Sequence, residues 1–431
     1  MAETDGGFAP GCPMATSAGR STPRNPRLSG RPRGPVAGVP VYRPDIYSAA
    51  AIRDPYPHYA ALRDLGSVVW LAKQRIYALP RYAEVRAALA DDAAYRSAHG
   101  VPLNAIARRI GRTSTLLSDG AEHDQRRNLL AHRLTPRALR PLQPRIDELA
   151  ERTVRGAVGR GVVDGVDDIA LAMPLSIVPD LVGWPQRGRD RLVHWAGAIF
   201  DNLGPWNLQT VRSGPAALSM LAFVHSLARR RDVLPDSMAA EVVRRIERGE
   251  LTTADCRGLF IDYLAPSIDT TAGAIAAALW LFARHPDQWE LLKQRPELVP
   301  GAVNEVIRLE SPLRAFGRRL AAPTPVGDVL LPAGAQVLMM YASANRDERF
   351  WADPERFDIT RDATGQLGFG YGVHGCAGQG LARLETSAVL RSLLAHVERI
   401  EVAGEPEPAL NNVIHRFGRL PVRLVPARAA A

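Results

Sequence analysis

The sequence predicts a mainly α-helical protein with minor β-sheet, folded as a single domain. From Pro136 to Arg231 most segments show helical spacing of apolar residues. The longest apolar run, 12 residues from Ala272, lies within a long helical segment, whereas strand-like runs are short. The chain shows no internal repeat and nothing resembling a linker after residue 40, so one domain is expected over residues 39–431.

The elements before the central segment can be placed from their end signals. "DPYPHYAALRDLGSVVWL" is typical of a short helix followed by a strand. Within the helical region, "GWPQRGRD" and the Gly-Pro-Trp of residues 204–206 predict helix ends and turns.

The longest helical segment covers residues 251–287. Thr253 is a suitable N-cap, Asp255 lies in the first turn, and His285-Pro286 marks the end. Its apolar run is shorter than the roughly 20 residues that a membrane-spanning helix needs. A buried core helix is therefore expected.

Two elements are predicted after the central segment. A helix is expected from Pro300 to Leu309. The following "VLLPAGAQVLMM" is typical of a β-hairpin around Pro-Ala-Gly.

The net charge of +9 comes largely from an N-terminal segment. Residues 19–35, "GRSTPRNPRLSGRPRGP", hold five arginines, four prolines and no acid. Such a composition cannot bury enough apolar surface to offset its ordering entropy, so residues 1–38 are predicted to form a disordered basic tail. No aromatic residues interleave the arginines, so no nucleic-acid partner is expected.

Cysteine usage and the N-terminus indicate the compartment. Cys12, Cys256 and Cys376 are too few and too scattered for a disulfide framework, and no C-x-x-C pair suggests zinc. The N-terminus has no apolar segment typical of a secretory signal. A reduced, cytoplasmic protein without a membrane partner is expected.

The segment "FGYGVHGCAGQGLARLE", residues 369–385, surrounds one cysteine with glycines. Glycines permit positive φ and close approach of the backbone to a ligand. A helix predicted to begin near Ala377 would point its N-terminus at the sulfur of Cys376 and favour the thiolate. A shielded thiolate suits a soft metal ligand such as heme iron. The alternative is a structural cysteine beside a glycine-rich turn.

"FGYGVHGCAG" resembles the heme-binding signature of the cytochrome P-450 enzymes. The matching residues are Phe369, Gly370, Gly372, His374, Cys376 and Gly378. The resemblance implies the single-domain cytochrome P-450 fold, with a long central helix over a buried heme b. It also implies that Cys376 is the axial ligand of the iron and that Phe369 and Gly370 contact the cofactor.

A second motif is "NEVIRLESP", in which Glu305 and Arg308 are spaced to pair on one helix face. Alone, such a pair is common on solvated helices. In the family it forms a buried network with an arginine of a later "DPERFD" segment, which implies a role for Arg356 here.

"AEHDQRRNLL" places His123 and Arg127 on one helical face, which alone is equally typical of a polar surface. The resemblance implies that this pair binds the heme propionates together with Arg318 and His374. Buried carboxylates need cationic partners.

"LAPSIDTTAG" resembles the oxygen-activating segment of the family's central helix. Asp269 and Thr270 match its acid–alcohol pair, which relays protons and orients water. The alternative for Thr270 is a hydroxyl bonded to the carbonyl four residues earlier. Pro266 and Ser267 depart from the family's usual small residues, and a proline inside a helix removes a backbone bond.

Segments such as "PLSIVPDLVG" and "LMMYASANRD" carry a further resemblance. From about residue 45 to 428 the chain resembles the bacterial branch of the family that oxidises para-substituted benzoates. The branch binds the carboxylate of its substrate with arginine and serine side chains. This chain has His99, Ile261 and Asp262 at those positions, so these carboxylate-binding residues are not shared. Asp262, two turns before Asp269, would repel a carboxylate and prefer an N–H donor; alternatively it joins the proton relay or a salt bridge. Further pocket candidates are Phe200, Leu203, Pro266, Leu313 and Phe316.

The resemblance implies a monooxygenase that hydroxylates or dealkylates a small aromatic or heteroaromatic molecule. The alternative is oxidative coupling of two substrate radicals without oxygen insertion, and a non-catalytic heme protein is a third class. The chain has no flavin or iron–sulfur motif, so electrons are expected from a ferredoxin and a ferredoxin reductase.

Overall fold

The computed structural model describes residues 34–264 and 266–427. The helices up to residue 203 are α1 (Ala49–Arg53), α2 (Tyr56–Leu65), α3 (Tyr82–Ala90), α4 (Ala105–Ile110), α5 (Gly120–Ala131), α6 (Pro136–Leu139), α7 (Gln143–Val158), α8 (Ala172–Val182) and α9 (Leu192–Leu203). The later helices are α10 (Leu208–Arg230), α11 (Met238–Glu247), α12 (Thr253–Leu264), α13 (Asp269–Arg284), α14 (Pro286–Gln294), α15 (Val299–Leu309), α16 (Tyr341–Ala344) and α17 (Gln379–His396).

The strands are short. They are β1 (Val41–Tyr42), β2 (Val69–Leu71), β3 (Ile76–Leu79), β4 (Tyr95–Arg96), β5 (Val162–Asp164), β6 (Phe316–Leu320), β7 (Thr324–Val326), β8 (Val329–Leu331), β9 (Gln336–Met339), β10 (Val397–Val402), β11 (Glu407–Pro408), β12 (Phe417–Arg419) and β13 (Pro421–Pro426). One mixed sheet has the order β1-β2-β3-β9-β6-β4, and a second has the order β10-β13-β5. Two further pairs are β7-β8 and β11-β12.

Two large apolar clusters organise the fold, one among the helices and one on the mixed sheet. The helical cluster includes α7, α10, α13, α15 and α17, and most side chains of α13 are buried within it. The sheet cluster includes the buried side chains of Tyr77 and Val337, which pair across β3 and β9. The predicted mainly helical fold with minor sheet is confirmed.

The central segment is two helices rather than the one that the sequence predicts. α12 ends at Leu264 and α13 begins at Asp269, with Pro266 between them. Proline has no N–H and its ring clashes with the preceding turn, so it interrupts the helix at this point. The predicted N-cap is also wrong by one residue. The hydroxyl of Thr252 accepts the N–H of Asp255 at 3.2 Å, and the Asp255 carboxylate accepts the N–H of Thr252 at 3.0 Å.

The predicted hairpin around Pro-Ala-Gly is wrong, although a turn is present there. β8 pairs with β7, whereas β9 pairs with β3 and β6 in the mixed sheet. The hairpin instead turns at Gly327, whose φ is 55°, because a two-residue hairpin loop favours a glycine with positive φ.

The other predicted elements are confirmed. α2 is followed by β2, α9 ends before Gly204, and α13 ends before His285. By length and composition Thr253–Arg284 could cross a membrane, but 76% of its most apolar window is buried inside the protein, as in a core helix.

The N-terminal boundary differs from the predicted tail of residues 1–38. Cys12 and the tail up to residue 33 lie outside the described residues. Val36 packs against the sheet cluster, and its N–H donates to the hydroxyl of Tyr77 at 3.1 Å. Contacts with the domain therefore begin within the segment predicted as tail.

Candidate active site

A largely apolar cavity of about 570 Å³ lies between the cysteine loop and the central helices. α4, α9 and α10 form its outer wall, and the cysteine loop with Cys376 forms its floor. Six of the predicted pocket residues line it: Phe200, Leu203, Asp262, Pro266, Leu313 and Phe316.

The prediction that His99 belongs to this pocket is wrong, because its side chain is exposed and does not line the cavity. Two neighbouring contacts fix the loop in this orientation. The N–H groups of Ser97 and Ala98 donate to Asp119 at 2.8 and 3.1 Å. The backbone of Gly100 lies against Arg318, where an added Cβ would stand 2.3 Å from the carbonyl carbon.

The cysteine loop adopts the backbone conformation that its glycines suggest. Gly370 and Gly372 have φ of 69° and 70°, a region that other residues rarely adopt. The N–H of Cys376 donates to the carbonyl of Phe369 at 2.8 Å and closes the loop. Phe369, Gly370 and Cys376 all line the cavity.

The electrostatic prediction for Cys376 is only partly met. α17 begins at Gln379, and the N–H groups of Gly378 and Gln379 bond to the sulfur and favour the thiolate. Burial is the larger effect and raises the pKa of the Cys376 thiol, while Arg127 and Arg383 oppose it. The N–H groups at the start of α17 therefore act on the Cys376 thiol in the predicted direction, and burial acts against them.

The four residues predicted to bind propionates lie together beside the loop. His374, Arg127 and Arg318 line the cavity, and the rings of His123 and His374 are 4.2 Å apart. Arg127 donates to the carbonyl of Gly375. Burial lowers the pKa of His374 to about 2, and the neighbouring Arg318, His123 and Arg127 side chains add to the effect.

This cluster has the donors to hold a buried dianion. The Nε2 atoms of His123 and His374 are buried and have no hydrogen-bond partner among the described residues. The carboxylate of Asp119 is 4.0 Å from His374 and already accepts two backbone N–H groups. Unpaired buried donors beside an apolar cavity and a cysteine sulfur fit a heme with two propionates.

The network of the E-x-x-R motif is buried, but its third member is not Arg356. Glu305 and Arg308 are fully buried and pair through bonds of 2.7 and 2.9 Å. Arg356 is exposed and contributes only its carbonyl, which accepts from Arg308 at 3.2 Å. Arg361 donates to Glu305 at 3.2 Å instead, and Arg308 also donates to the backbone carbonyls of Asn345 and Pro354, each at 2.8 Å.

Asp262 lines the cavity but lies on a different helix from Asp269, so the predicted shared face is wrong. Pro266 separates α12 from α13 and breaks the two-turn relation. One carboxylate oxygen of Asp262 accepts the N–H of Thr115 at 2.5 Å. Burial raises the pKa of Asp262 to about 6, while the N–H of Thr115 opposes the shift.

The acid and alcohol of the predicted pair face different surroundings. Thr270 lines the cavity and donates to the carbonyl of Pro266 at 2.8 Å, which is the alternative that its position allowed. Asp269 is 1% exposed, does not line the cavity, and lies 3.5 Å from Arg416. Burial raises the pKa of Asp269, and Arg416 opposes the shift.

Sequence reasoning missed two arginines of this region. Arg361 lies in "DITRDATG", five residues after Arg356. The sequence therefore contains two arginines that could be the third member of the Glu305–Arg308 network. Arg416 lies in the C-terminal segment, 147 residues from its partner Asp269, where no local pattern indicates the contact.

Comparisons with known proteins agree with this geometry. The family profile described as "Cytochrome P450" matches residues 287–421. Cytochrome p450 CYP199A2 of Rhodopseudomonas palustris is 35% identical over 91% of this chain and 96% of its own. The beta-dihydromenaquinone-9 omega-hydroxylase of Mycobacterium bovis is 32% identical over 89% of this chain and 78% of its own.

The solved structure of CYP109Q5 from Chondromyces apiculatus superposes with a TM-score of 0.75 at 28% identity. It covers 90% of this chain and 99% of that one. Sequence similarity over nearly the whole length, the shared fold and the cysteine loop lead to one conclusion. The chain belongs to the cytochrome P-450 family, whose members bind heme b through a cysteine thiolate and oxidise substrates with dioxygen.

Proposed function

We propose that the chain is a monooxygenase that hydroxylates or dealkylates a small aromatic or heteroaromatic molecule bearing N–H donors. The observation that supports this substrate is the composition of the cavity wall. Phe200, Leu313 and Phe316 give it flat apolar surfaces, and Asp262 adds a carboxyl group. A carboxylate in an apolar wall rejects anions and favours N–H donors. We place the reaction in bacterial secondary metabolism or aromatic catabolism.

In this proposal the residues of the floor hold the cofactor. Cys376 ligates the heme iron, and His123, Arg127, Arg318 and His374 bind the propionates. The bound heme supplies the activation of dioxygen with electrons from outside the chain. The chain itself excludes water from an apolar cavity and fixes the ligand sulfur in a rigid loop.

The residues of the central helices handle protons. Thr270 lines the cavity, and its hydroxyl, which donates to Pro266, keeps its lone pairs for a donor in the cavity. Asp269 supplies protons from the other side of α13. A hydroxyl and a carboxyl in these roles would each raise the rate by helping proton transfer into the cavity.

Matched ligands test the substrate class. Ligand binding to the heme protein can be followed by the spin-state shift of its absorption. We expect 4-methoxybenzamide to bind and 4-methoxybenzoate, its anionic counterpart, to bind weakly. Substituting Asp262→Ser should improve benzoate binding. Full spin-state conversion of the unaltered protein by 4-methoxybenzoate at low concentration would contradict the proposal.

Oxidative C–C or C–N coupling of aromatic or peptide-derived substrates is a second candidate. The interruption between α12 and α13 favours it, because Pro266 and Ser267 line the cavity beside Thr270 and alter the usual helical groove. Product mass separates the two reactions, since coupling yields a dimer or adduct without added oxygen.

We also propose that an acidic ferredoxin, served by a ferredoxin reductase, delivers the electrons. Near the cysteine loop Tyr371 and Val373 are 41% and 45% exposed, and the guanidinium of Arg86 covers the Tyr371 ring. α6 packs on the start of α17 and leaves Arg137 and Arg140 exposed. An apolar centre with a basic rim suits an acidic protein.

Charge reversal tests this partner. Arg137→Glu and Arg140→Glu should slow reduction by a ferredoxin and weaken its dependence on salt, since each removes an attraction that ions screen. Reduction by dithionite serves as the control and should not change.

We also propose a cytoplasmic location, because the three scattered cysteines of the sequence form no disulfide framework, and fractionation of the source cells would test it.

A further inference from the structure

Arg383 on α17 carries a positive charge beside the cysteine loop. Its guanidinium donates to the side-chain oxygens of Asn304 on α15, at 3.2 Å, and of Gln379, at 2.8 Å. Both partners are neutral amides, and among the described residues no carboxylate forms an ion pair with Arg383. The next arginine of the same helix, Arg391, pairs instead with Asp147 at 2.7 Å. Arg383 is therefore a fixed cation without a counter-charge in the protein.

The aromatic ring of Phe369 is the first link between this cation and the cysteine. The guanidinium carbon of Arg383 lies 4.5 Å from the centre of the ring. A cation over an aromatic face is attracted by the electrons of the ring. Phe369 lines the cavity, and its carbonyl accepts the N–H of Cys376 at 2.8 Å. Arg383 thus holds the residue that closes the cysteine loop.

Gln379 is the second link. It is the first residue of α17, and its N–H bonds to the sulfur of Cys376. Its side chain accepts from Arg383 one helical turn later, a spacing at which side chains meet on a helix surface. The guanidinium therefore bears on both residues whose backbone groups contact Cys376 from either end of the loop.

Two arginines act on the sulfur, and they differ in what can balance their charge. Burial raises the pKa of the Cys376 thiol, and the charges of Arg127 and Arg383 oppose this rise. Arg127 lines the cavity and belongs to the four residues that fit the heme propionates, whose negative charges would balance it. Arg383 does not line the cavity, so its charge stays unbalanced when the cofactor is bound.

We propose that Arg383 is a positioning residue that raises the reduction potential of the heme. It holds Phe369 and Gln379 against the cysteine, and its charge draws electron density toward itself from the sulfur. A cation near the ligand favours the state of the site that holds one more electron, so it raises the potential. The inference concerns the cofactor of the family and does not depend on the substrate proposed above.

The electron balance of this step is simple. One electron passes from the ferredoxin to the ferric iron, and Arg383 exchanges no electron, proton or bond. The guanidinium keeps its charge throughout, because arginine is not deprotonated in proteins. Its effect is therefore on the equilibrium of the electron transfer.

Redox titration of the purified heme protein tests the proposal without ferredoxin or substrate. In Arg383→Gln the equilibrium constant for reduction should fall roughly ten-fold, which lowers the potential of a one-electron couple by about 59 mV. Arg383→Lys keeps the charge and should keep most of the potential. Arg391→Gln removes an exposed charge from the same helix and should leave the potential unchanged. An unchanged potential in Arg383→Gln, or an equal fall in Arg383→Lys or Arg391→Gln, would overturn the proposal.

A further variant separates the charge of Arg383 from its packing. In Arg383→His the potential should fall as the pH rises through the titration of the new imidazole, because the same side chain then loses its charge. The unaltered protein should lack this step. The iron–sulfur stretching frequency in resonance Raman spectra should rise in Arg383→Gln, since more electron density remains on the sulfur. A potential without the additional pH step, or an unchanged stretching frequency, would count against Arg383.

Discussion

The two sides of the cavity are built in different ways. The floor is made by contiguous sequence: Cys376, the glycines with positive φ and the start of α17 all lie within residues 369–385. The roof is made by segments far apart in the chain. Thr270 on α13, Asp262 on α12 and Phe200 on α9 line the same cavity only through tertiary packing.

This difference decides how each side responds to substitution. The floor depends on backbone geometry, so its failures should be structural. The roof holds carboxyl groups with raised pKa and few partners, at Asp262 and Asp269. Changes there should alter chemistry and selectivity while the fold remains.

The largest expected effect is at the floor. Cys376→Ala should abolish the red-shifted Soret band that the reduced protein gives with carbon monoxide, because the thiolate ligand is lost. Cys256→Ala is the matched control, since this buried cysteine does not line the cavity. Retention of the band in Cys376→Ala with its loss in Cys256→Ala would reverse the assignment.

The buried network should come next, measured as the free energy of unfolding. Arg308→Met removes the fully buried cationic partner of Glu305, leaves it only the partly exposed Arg361, and should cost about 3–5 kcal/mol. Arg361→Met should cost less, because its side chain is 13% exposed. Arg356→Met, the control, should cost almost nothing. Equal losses for Arg356 and Arg361 in urea denaturation would restore the sequence-based prediction of Arg356.

At the roof, Thr270→Ala should reduce the fraction of consumed electrons that ends in product and should leave the stability of the fold unchanged. Without the hydroxyl, more of the consumed electrons should appear as hydrogen peroxide, with product falling by roughly 10-fold or more. Ser267→Ala is the matched control, because Ser267 also lines the cavity and its hydroxyl likewise donates to a backbone carbonyl, that of Tyr263, at 2.5 Å. If Ser267→Ala uncouples the enzyme and Thr270→Ala does not, the role belongs to Ser267.

The smallest expected effect is a pH dependence of ligand binding. Since the pKa of Asp262 is raised to about 6, its carboxylate is present above that pH and is lost as the pH falls through it. Affinity for a neutral N–H donor such as 4-methoxybenzamide should fall by about five-fold on acidification, which corresponds to about 1 kcal/mol. Asp262→Asn should bind it equally at all pH values. A variant that keeps the dependence would exclude Asp262 as its source.

The contrast also explains what the sequence could predict. Three parts of the site lie within short sequence patterns, so their members are close together in the chain. They are the loop of Cys376, the Glu305–Arg308 pair, and the pair of His123 and Arg127. The central segment was misjudged because apolar periodicity continues through Pro266, although the ring breaks the helix there.

The remaining errors concern contacts that no local pattern contains. His99 was placed in the pocket by its position in the resemblance, but the packing of Gly100 on β6 leaves it exposed. The strands on either side of Pro-Ala-Gly join different sheets, because β8 pairs with β7 whereas β9 pairs with β3 and β6. Arg416 meets Asp269 only because α9, α13 and the C-terminal segment pack together.

The central claim is that both sides of the cavity serve oxygen insertion. Turnover of an aromatic amide that shifts the spin state, under ¹⁸O₂ and with a ferredoxin and its reductase, tests it most directly. The account predicts one ¹⁸O atom in the product or in the released alkyl fragment. A dimer or adduct without label would contradict it and would favour oxidative coupling.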